Sequence, residues 1–141
     1  MHYRLCRILA VSLIAIGPAV AEPAVDDDPP IDCENAMSTR EMNICGDQAF
    51  KKADADLNET YKKALADIPE MATEAPYDAK GWEAALRASQ RAWVAFRDAE
   101  CNDHGAMFWT GGTGATADII GCMTDKTIAR TKELKERYEV E

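Results

Sequence analysis

Apolar and small residues recur every three or four positions along three stretches of the chain, which is the spacing of one face of an α-helix. The first stretch follows an S-x-x-E capping box, Ser38 to Glu41, which predicts a helix that begins at about Thr39. Pro69 is expected to end this helix, because a proline ring clashes with the preceding turn. Its predicted buried face comprises Met42, Cys45, Ala49, Ala53, Leu57, Tyr61, Leu65 and Ile68.

Two further helices are predicted, over residues 81–100 and 124–138. Residues 69–80 carry two prolines and residues 102–121 carry five glycines, so both segments are predicted loops. No strand pattern is evident, and the predicted fold is a small all-α bundle of three main helices. The two buried faces are predicted to comprise Trp82, Leu86, Ser89, Trp93 and Phe96, followed by Thr127, Thr131, Leu134 and Tyr138.

The amino terminus has the features of a secretory signal peptide. Arg4 and Arg7 precede a short apolar run, and small residues lead up to a predicted cleavage after Ala21. Residues 22–32 are acidic and carry prolines, so we expect a disordered leader before a single domain at 33–141. The exported chain is therefore expected in the periplasm or outside the cell, without a stable membrane anchor.

The net charge is −9, and cleavage would remove two arginines and no acidic residue. So acidic a chain repels nucleic acid and anionic lipid, and it attracts cationic proteins over long distances. A protein partner is therefore expected rather than a nucleic acid or a membrane. The alternative is that the excess charge only keeps an exported protein in solution.

Four cysteines remain after cleavage, which predicts two disulfides with three possible connectivities. Because Cys101 ends the second predicted helix and Cys122 precedes the third, we favour a Cys101–Cys122 bond that closes the glycine-rich loop. Cys33 then pairs with Cys45 and pins the leader to the first helix. The cysteine separations match no zinc module, so neither a metal nor a cofactor is predicted.

The motif order C-x11-C, A-D-x-x-L-N-x-x-Y, S-Q-R-A-W-x-x-F-R-D-x-x-C, G-G-T and C-x4-T-x-x-R-x3-L resembles the LprI-like lysozyme inhibitor family of exported bacterial proteins. The resemblance implies a small helical disulfide domain and, for some members, inhibition of host lysozyme. The chain lacks the lipid-attachment cysteine of the lipoprotein after which the family is named. Besides the cysteines, the main residues that carry the resemblance are Asp54, Leu57, Asn58, Tyr61, Gln90, Trp93, Arg97, Asp98 and Arg130.

Most of these motif residues are interpreted as structural. Gln90, Trp93 and Arg97 share one helix face with the apolar seam, so their polar groups are expected to bond to partners such as Asn58 and Asp54. The alternative is that they form a recognition surface.

The glycine-rich loop is the candidate partner-binding site, since loops with fixed ends often carry function and aromatic residues anchor interfaces. The alternative is that Phe108 and Trp109 fold back over the open end of the helices. The candidate residues are His104, Met107, Phe108, Trp109, Gly111, Gly112 and Thr113.

No catalytic residue is predicted. Asp98 and Glu100 stand two positions apart on a helix and therefore point in different directions, unlike the paired carboxylates of glycosidases. His104 has no candidate nucleophile nearby in the sequence.

The favoured function is an exported binding protein that inhibits lysozyme or a similar cationic cell-wall hydrolase through loop contacts. The alternative is an adaptor that binds another envelope protein or a cell-wall fragment without inhibition.

Overall fold

The structure is a computed structural model that describes residues 31–140, and in this part of the chain it is helical without strands. The predicted signal peptide, residues 1–21, and leader residues 22–30 lie outside the described residues. The predicted all-α fold with three main helices is confirmed. The elements are α1 (Thr39–Met71), α2 (Ala79–Asp98), a π-helical turn (Ala99–His104), the single turn α3 (Gly105–Met107) and α4 (Ala115–Tyr138).

The capping box that starts α1 is present as predicted. Ser38 Oγ accepts a hydrogen bond from the Glu41 backbone N–H at 3.2 Å, and Glu41 Oε2 accepts one from the Ser38 N–H at 2.9 Å. The hydrogen bonds from Ser38 hold the pKa of the Glu41 carboxyl below its usual value.

Pro69 does not end the helix, so that prediction is wrong. The proline lies in the last turn of α1, where few backbone hydrogen bonds of the helix remain to be made after it. The Ala72 N–H still donates to the Ile68 carbonyl at 3.0 Å.

The three long helices run up, down and up, so α1 and α4 point in the same direction. Gly46 near the start of α1 faces Ile120 near the start of α4, and the Tyr138 end of α4 lies beside the end of α1. No helix among the described residues is long and apolar enough to cross a membrane. The apolar core comprises Leu57, Ala64, Ile68, Leu86, Leu134, Tyr138 and Val140.

The predicted buried faces hold in the middle of the bundle and fail toward the cysteine end. Met42, Ala49 and Ser89 are exposed, and Phe96 keeps 55% of its surface in solvent. The Phe96 ring is on the outside of the bundle, where the Lys126 ammonium lies 5.0 Å from its centroid. A cation–π contact of this kind stabilises an aromatic ring at the surface without burying it.

The last helix begins at Ala115, nine residues before its predicted start at Thr124. The predicted loop over residues 102–121 is therefore wrong, because the π-helical turn, α3 and the start of α4 occupy most of it. A glycine inside a helix costs only about 1 kcal/mol relative to alanine, which packing can offset. Here the first turns of α4 pack on α1, with Ile120 against Gly46.

Both predicted disulfides are present. Cys33 and Cys45 have their Cα atoms 5.6 Å apart, and Cys101 and Cys122 have theirs 5.7 Å apart. Cys101 is completely buried within the π-helical turn, and Cys122 lies inside α4 rather than at its start. The second disulfide thus joins two packed helical segments instead of closing an open loop.

Candidate functional site

The segment between the π-helical turn and α4, residues 104–114, forms one end of the bundle, and we call it the tip. Met107 and Phe108 are exposed by 73% and 76%, so Phe108 does not fold back over the helices. The His104 ring meets the Phe108 ring edge to face, with 5.2 Å between centroids. The tip therefore presents two large apolar side chains to solvent next to an imidazole.

Trp109 makes contacts within the tip. Its ring lies against Gly114, where an added Cβ atom would collide with it, and its carbonyl accepts a 2.7 Å hydrogen bond from the Gly112 N–H. Gly111 has a φ of +85°, which side chains disfavour and glycine adopts freely. Thr113 is exposed beside this turn. The glycines thus give the tip a defined shape around the indole.

The segment of the sequence that contains the tip is acidic. No lysine or arginine occurs in the sequence between Arg97 and Lys126. His104 Nδ1 lies 3.8 Å from Glu100 Oε2, a separation that forms an ion pair when the imidazole is protonated. The sequence on either side of the tip carries five carboxylates, those of Asp98, Glu100, Asp103, Asp118 and Asp125, of which Asp98 is paired with Arg97.

The motif residues assemble elsewhere, in the interior between the helices. Arg97 is only 7% exposed, and its Nε donates to Asp98 Oδ1 at 2.9 Å. Its Nη1 donates to Thr127 Oγ1 at 3.2 Å and lies 3.7 Å from Asp54 Oδ1. The guanidinium also lies 5.2 Å from the centroid of the Trp93 ring. Asp98 is thus an ion-pair partner of a buried cation.

A second buried arginine also lies near Trp93, with its guanidinium 6.0 Å from the centroid of the ring. Arg130 is 5% exposed, and its Nε donates to Gln90 Oε1 at 3.1 Å. Its other nitrogens donate to Ser89 Oγ at 3.2 Å and to Glu133 Oε2 at 2.8 Å. We call Arg97, Arg130, Trp93 and their hydrogen-bond partners the arginine network.

The network agrees in part with the bonding expected from the sequence. Arg97 faces Asp54 as expected, whereas Gln90 bonds to Arg130 and Asn58 donates to Asp54 at 3.0 Å. The hydrogen-bond partners that lie 30 to 41 positions away in the chain were not predicted. Those partners depend on helix packing and include Thr127 and Ser89.

Leu57 and Tyr61 complete the set of motif residues on α1. Leu57 is buried in the apolar core, and the half-buried Tyr61 packs against that core. The structure therefore separates the two sequence-derived sets. One forms the interior of the bundle, and the other forms its exposed tip.

Comparison with known proteins agrees with the arrangement of the motifs. Residues 32–134 match the family described as Lysozyme inhibitor LprI. An uncharacterized protein of Rhizobium meliloti (strain 1021) is 38% identical over 120 residues, which cover 83% of this chain and 86% of the relative. No solved structure is significantly similar to the chain. The chain belongs to the lysozyme inhibitor LprI family.

Proposed function

We propose that the protein is an exported, non-enzymatic inhibitor of lysozyme, or of a similar cationic cell-wall hydrolase, and that the tip is its binding surface. The observation that carries this proposal is the exposure of Met107 and Phe108 at 73% and 76% on a supported turn. Burial of one such side chain in an interface contributes about 1.5–3 kcal/mol. The family to which the chain belongs indicates the partner.

The support of the tip favours tight binding. A segment that already holds its bound shape loses less conformational entropy on association than a flexible one. The Trp109 ring packs against Gly114, and the Cys101–Cys122 bond links the preceding π-helical turn to α4. A projecting apolar end of this kind suits insertion into a concave site such as the substrate cleft of a hydrolase.

The charge distribution selects a cationic partner. The chain carries a net charge of −9, and the sequence between Arg97 and Lys126, which contains the tip, has five carboxylates and no lysine or arginine. Complementary potentials raise the association rate of oppositely charged proteins, and salt screens this effect. Inhibition is therefore expected to weaken as the ionic strength rises.

Export belongs to the same proposal. We infer cleavage after Ala21, which leaves an acidic leader over residues 22–32 and delivers the domain to the periplasm or the medium. The two disulfides support this inference, because such bonds persist in oxidising compartments outside the cytosol.

A lysozyme turbidity assay with the mature protein tests the proposal. Phe108→Ser is expected to weaken inhibition at least about tenfold, because interface anchors commonly contribute 2 kcal/mol or more. The matched control is Ile128→Ser on α4, since Ile128 is also exposed, by 55%, and lies outside the tip. We expect about the wild-type inhibition from this control.

Two results would contradict the proposal. The first is no inhibition by the wild-type protein at micromolar concentration at either low or moderate salt. The second is an equal loss of inhibition in both variants. Binding of another envelope protein without inhibition would favour the adaptor alternative.

A further inference from the structure

A groove of about 310 Å³ lies between α1 and α2, away from the tip, and several polar side chains line it beside apolar surface. Ten residues of helix span about 15 Å, so the Arg87 end of the groove lies about that much farther from the tip than the Arg97 end. The groove is lined on α1 by Asp54, Leu57, Asn58 and Tyr61, and on α2 by Arg87, Gln90, Arg91, Val94 and Arg97.

Two of the three arginines in this groove are already paired. Arg97 Nη2 lies 2.8 Å from Asp98 Oδ1, and Arg87 Nη2 lies 2.7 Å from Glu83 Oε1. The one carboxylate in the lining, Asp54, accepts a hydrogen bond from Asn58 Nδ2 at 3.0 Å. These contacts hold the walls of the groove in place and leave few of its charges free.

Arg91 is the exception. It is exposed at the groove, and among residues 31–140 its guanidinium has neither a hydrogen-bond partner nor an ion-pair partner. A guanidinium presents several N–H donors in a planar fork that matches the two oxygens of a carboxylate. The groove therefore contains polar side chains that are held by hydrogen bonds, and beside them the guanidinium of Arg91, which has no partner among the described residues.

We propose that this groove binds the carboxylate of a small ligand, with Arg91 as the ion-pair partner of that carboxylate. The side-chain amides of Asn58 and Gln90 provide hydrogen-bonding groups for the rest of the ligand. A volume of about 310 Å³ is at the lower end for ligand sites, which fits a monosaccharide better than a polymer. A small acid that also carries hydrogen-bonding groups, such as an acidic sugar, is the ligand class that matches these features. The site is separate from the tip and does not depend on inhibition.

Nuclear magnetic resonance titration of the full mature protein tests this proposal with two matched sugars. N-acetylmuramic acid and N-acetylglucosamine differ by a lactyl ether group that carries the carboxylate. The acidic sugar is expected to shift the side-chain amide signals of Asn58 and Gln90 with saturation, and the neutral sugar is expected to bind at least about tenfold more weakly. About 0.5 M salt should weaken the binding of the acidic sugar.

Two substitutions complete the test. Arg91→Gln removes the free guanidinium from an exposed position and is expected to weaken binding of the acidic sugar about tenfold or more. Arg137→Gln is the control, because it makes the same change of charge on the exposed face of α4. The proposal is overturned if the two sugars bind equally, if Arg91→Gln binds like the wild type, or if the acidic sugar gives no saturable shift.

Discussion

The arginine network and the tip reverse the usual distribution of side chains in opposite ways. In the network, Arg97 and Arg130 are buried at 7% and 5% exposure, whereas in the tip Met107 and Phe108 are exposed at 73% and 76%. A buried cation is tolerated only where hydrogen bonds and counter-charges replace water, and each arginine has such partners. Exposed apolar side chains have no equivalent stabilisation in the free protein, which favours a role in binding.

The comparison shows that the residues that identify the family and the residues that we propose to act are different. The motif around Trp93 places two guanidiniums near one indole and joins α2 to α4 through Thr127, Ser89 and Gln90. Its contacts are internal to the bundle. The tip is connected to the arginine network by the π-helical turn, which follows α2 directly.

The largest expected effect concerns the disulfide that links the two regions. Cys101→Ala with Cys122→Ala should lower the free energy of unfolding by about 4 kcal/mol, of which loop closure supplies about 3 and the lost packing of the buried Cys101 about 1. The double variant should also lose inhibition, because the tip is no longer tied to α4. Urea unfolding and the turbidity assay measure the two effects.

The other disulfide is the matched control. Cys33→Ala with Cys45→Ala opens a shorter connection, 12 positions instead of 21, and should cost about 3 kcal/mol. Inhibition by this variant should persist under conditions where it remains folded. Loss of inhibition in this variant while it is folded would show that the tip does not act alone.

Breaking the arginine network should destabilise the bundle without changing the binding surface. Arg97→Ala is expected to cost about 3 kcal/mol, because it leaves the buried Thr127 hydroxyl and the partner carboxylates without their cation. Arg87→Ala removes an exposed ion pair with Glu83 and a hydrogen bond with Tyr61, and its cost should be much smaller than that of Arg97→Ala. Equal unfolding free energies for the two variants would contradict the scaffold role of the network.

A single methyl group at the tip should change function more than stability. Gly114→Ala forces the Trp109 ring out of its position, and we expect a shifted indole resonance, weaker inhibition and less than about 1 kcal/mol of destabilisation. Gly121→Ala places the same methyl group in open space within α4. That control should keep inhibition and gain up to about 1 kcal/mol. Unchanged inhibition by Gly114→Ala would show that inhibition does not depend on the position of the Trp109 ring.

Local signals in the sequence predicted the parts of the fold that depend on local contacts. The capping box at Ser38 and the pairing of the four cysteines are examples, and both are present. The early start of α4 at Ala115 was missed because glycines indicate a loop when packing on α1 is unknown. The π-helical turn around Cys101 has no signature in the residue pattern.

The candidate site was predictable to a similar degree. Loop residues with aromatic side chains pointed to the tip, yet the sequence left open whether Phe108 was buried or exposed. Its exposure depends on how α3 ends and on the support of Trp109 by Gly114, neither of which is local enough to read from spacing. Arg91 has no ion-pair partner among residues 31–140, and this was likewise not predictable, because it depends on how the other arginines are paired.

Hydrogen–deuterium exchange of the mature protein, alone and with lysozyme, tests the central claim most directly. The claim is that the tip binds and the arginine network supports it. We predict slower exchange over residues 99–114 in the mixture and unchanged exchange over residues 53–61 and 87–97, which form the α1–α2 groove and part of the network. Protection of the groove with an unprotected tip would contradict the account.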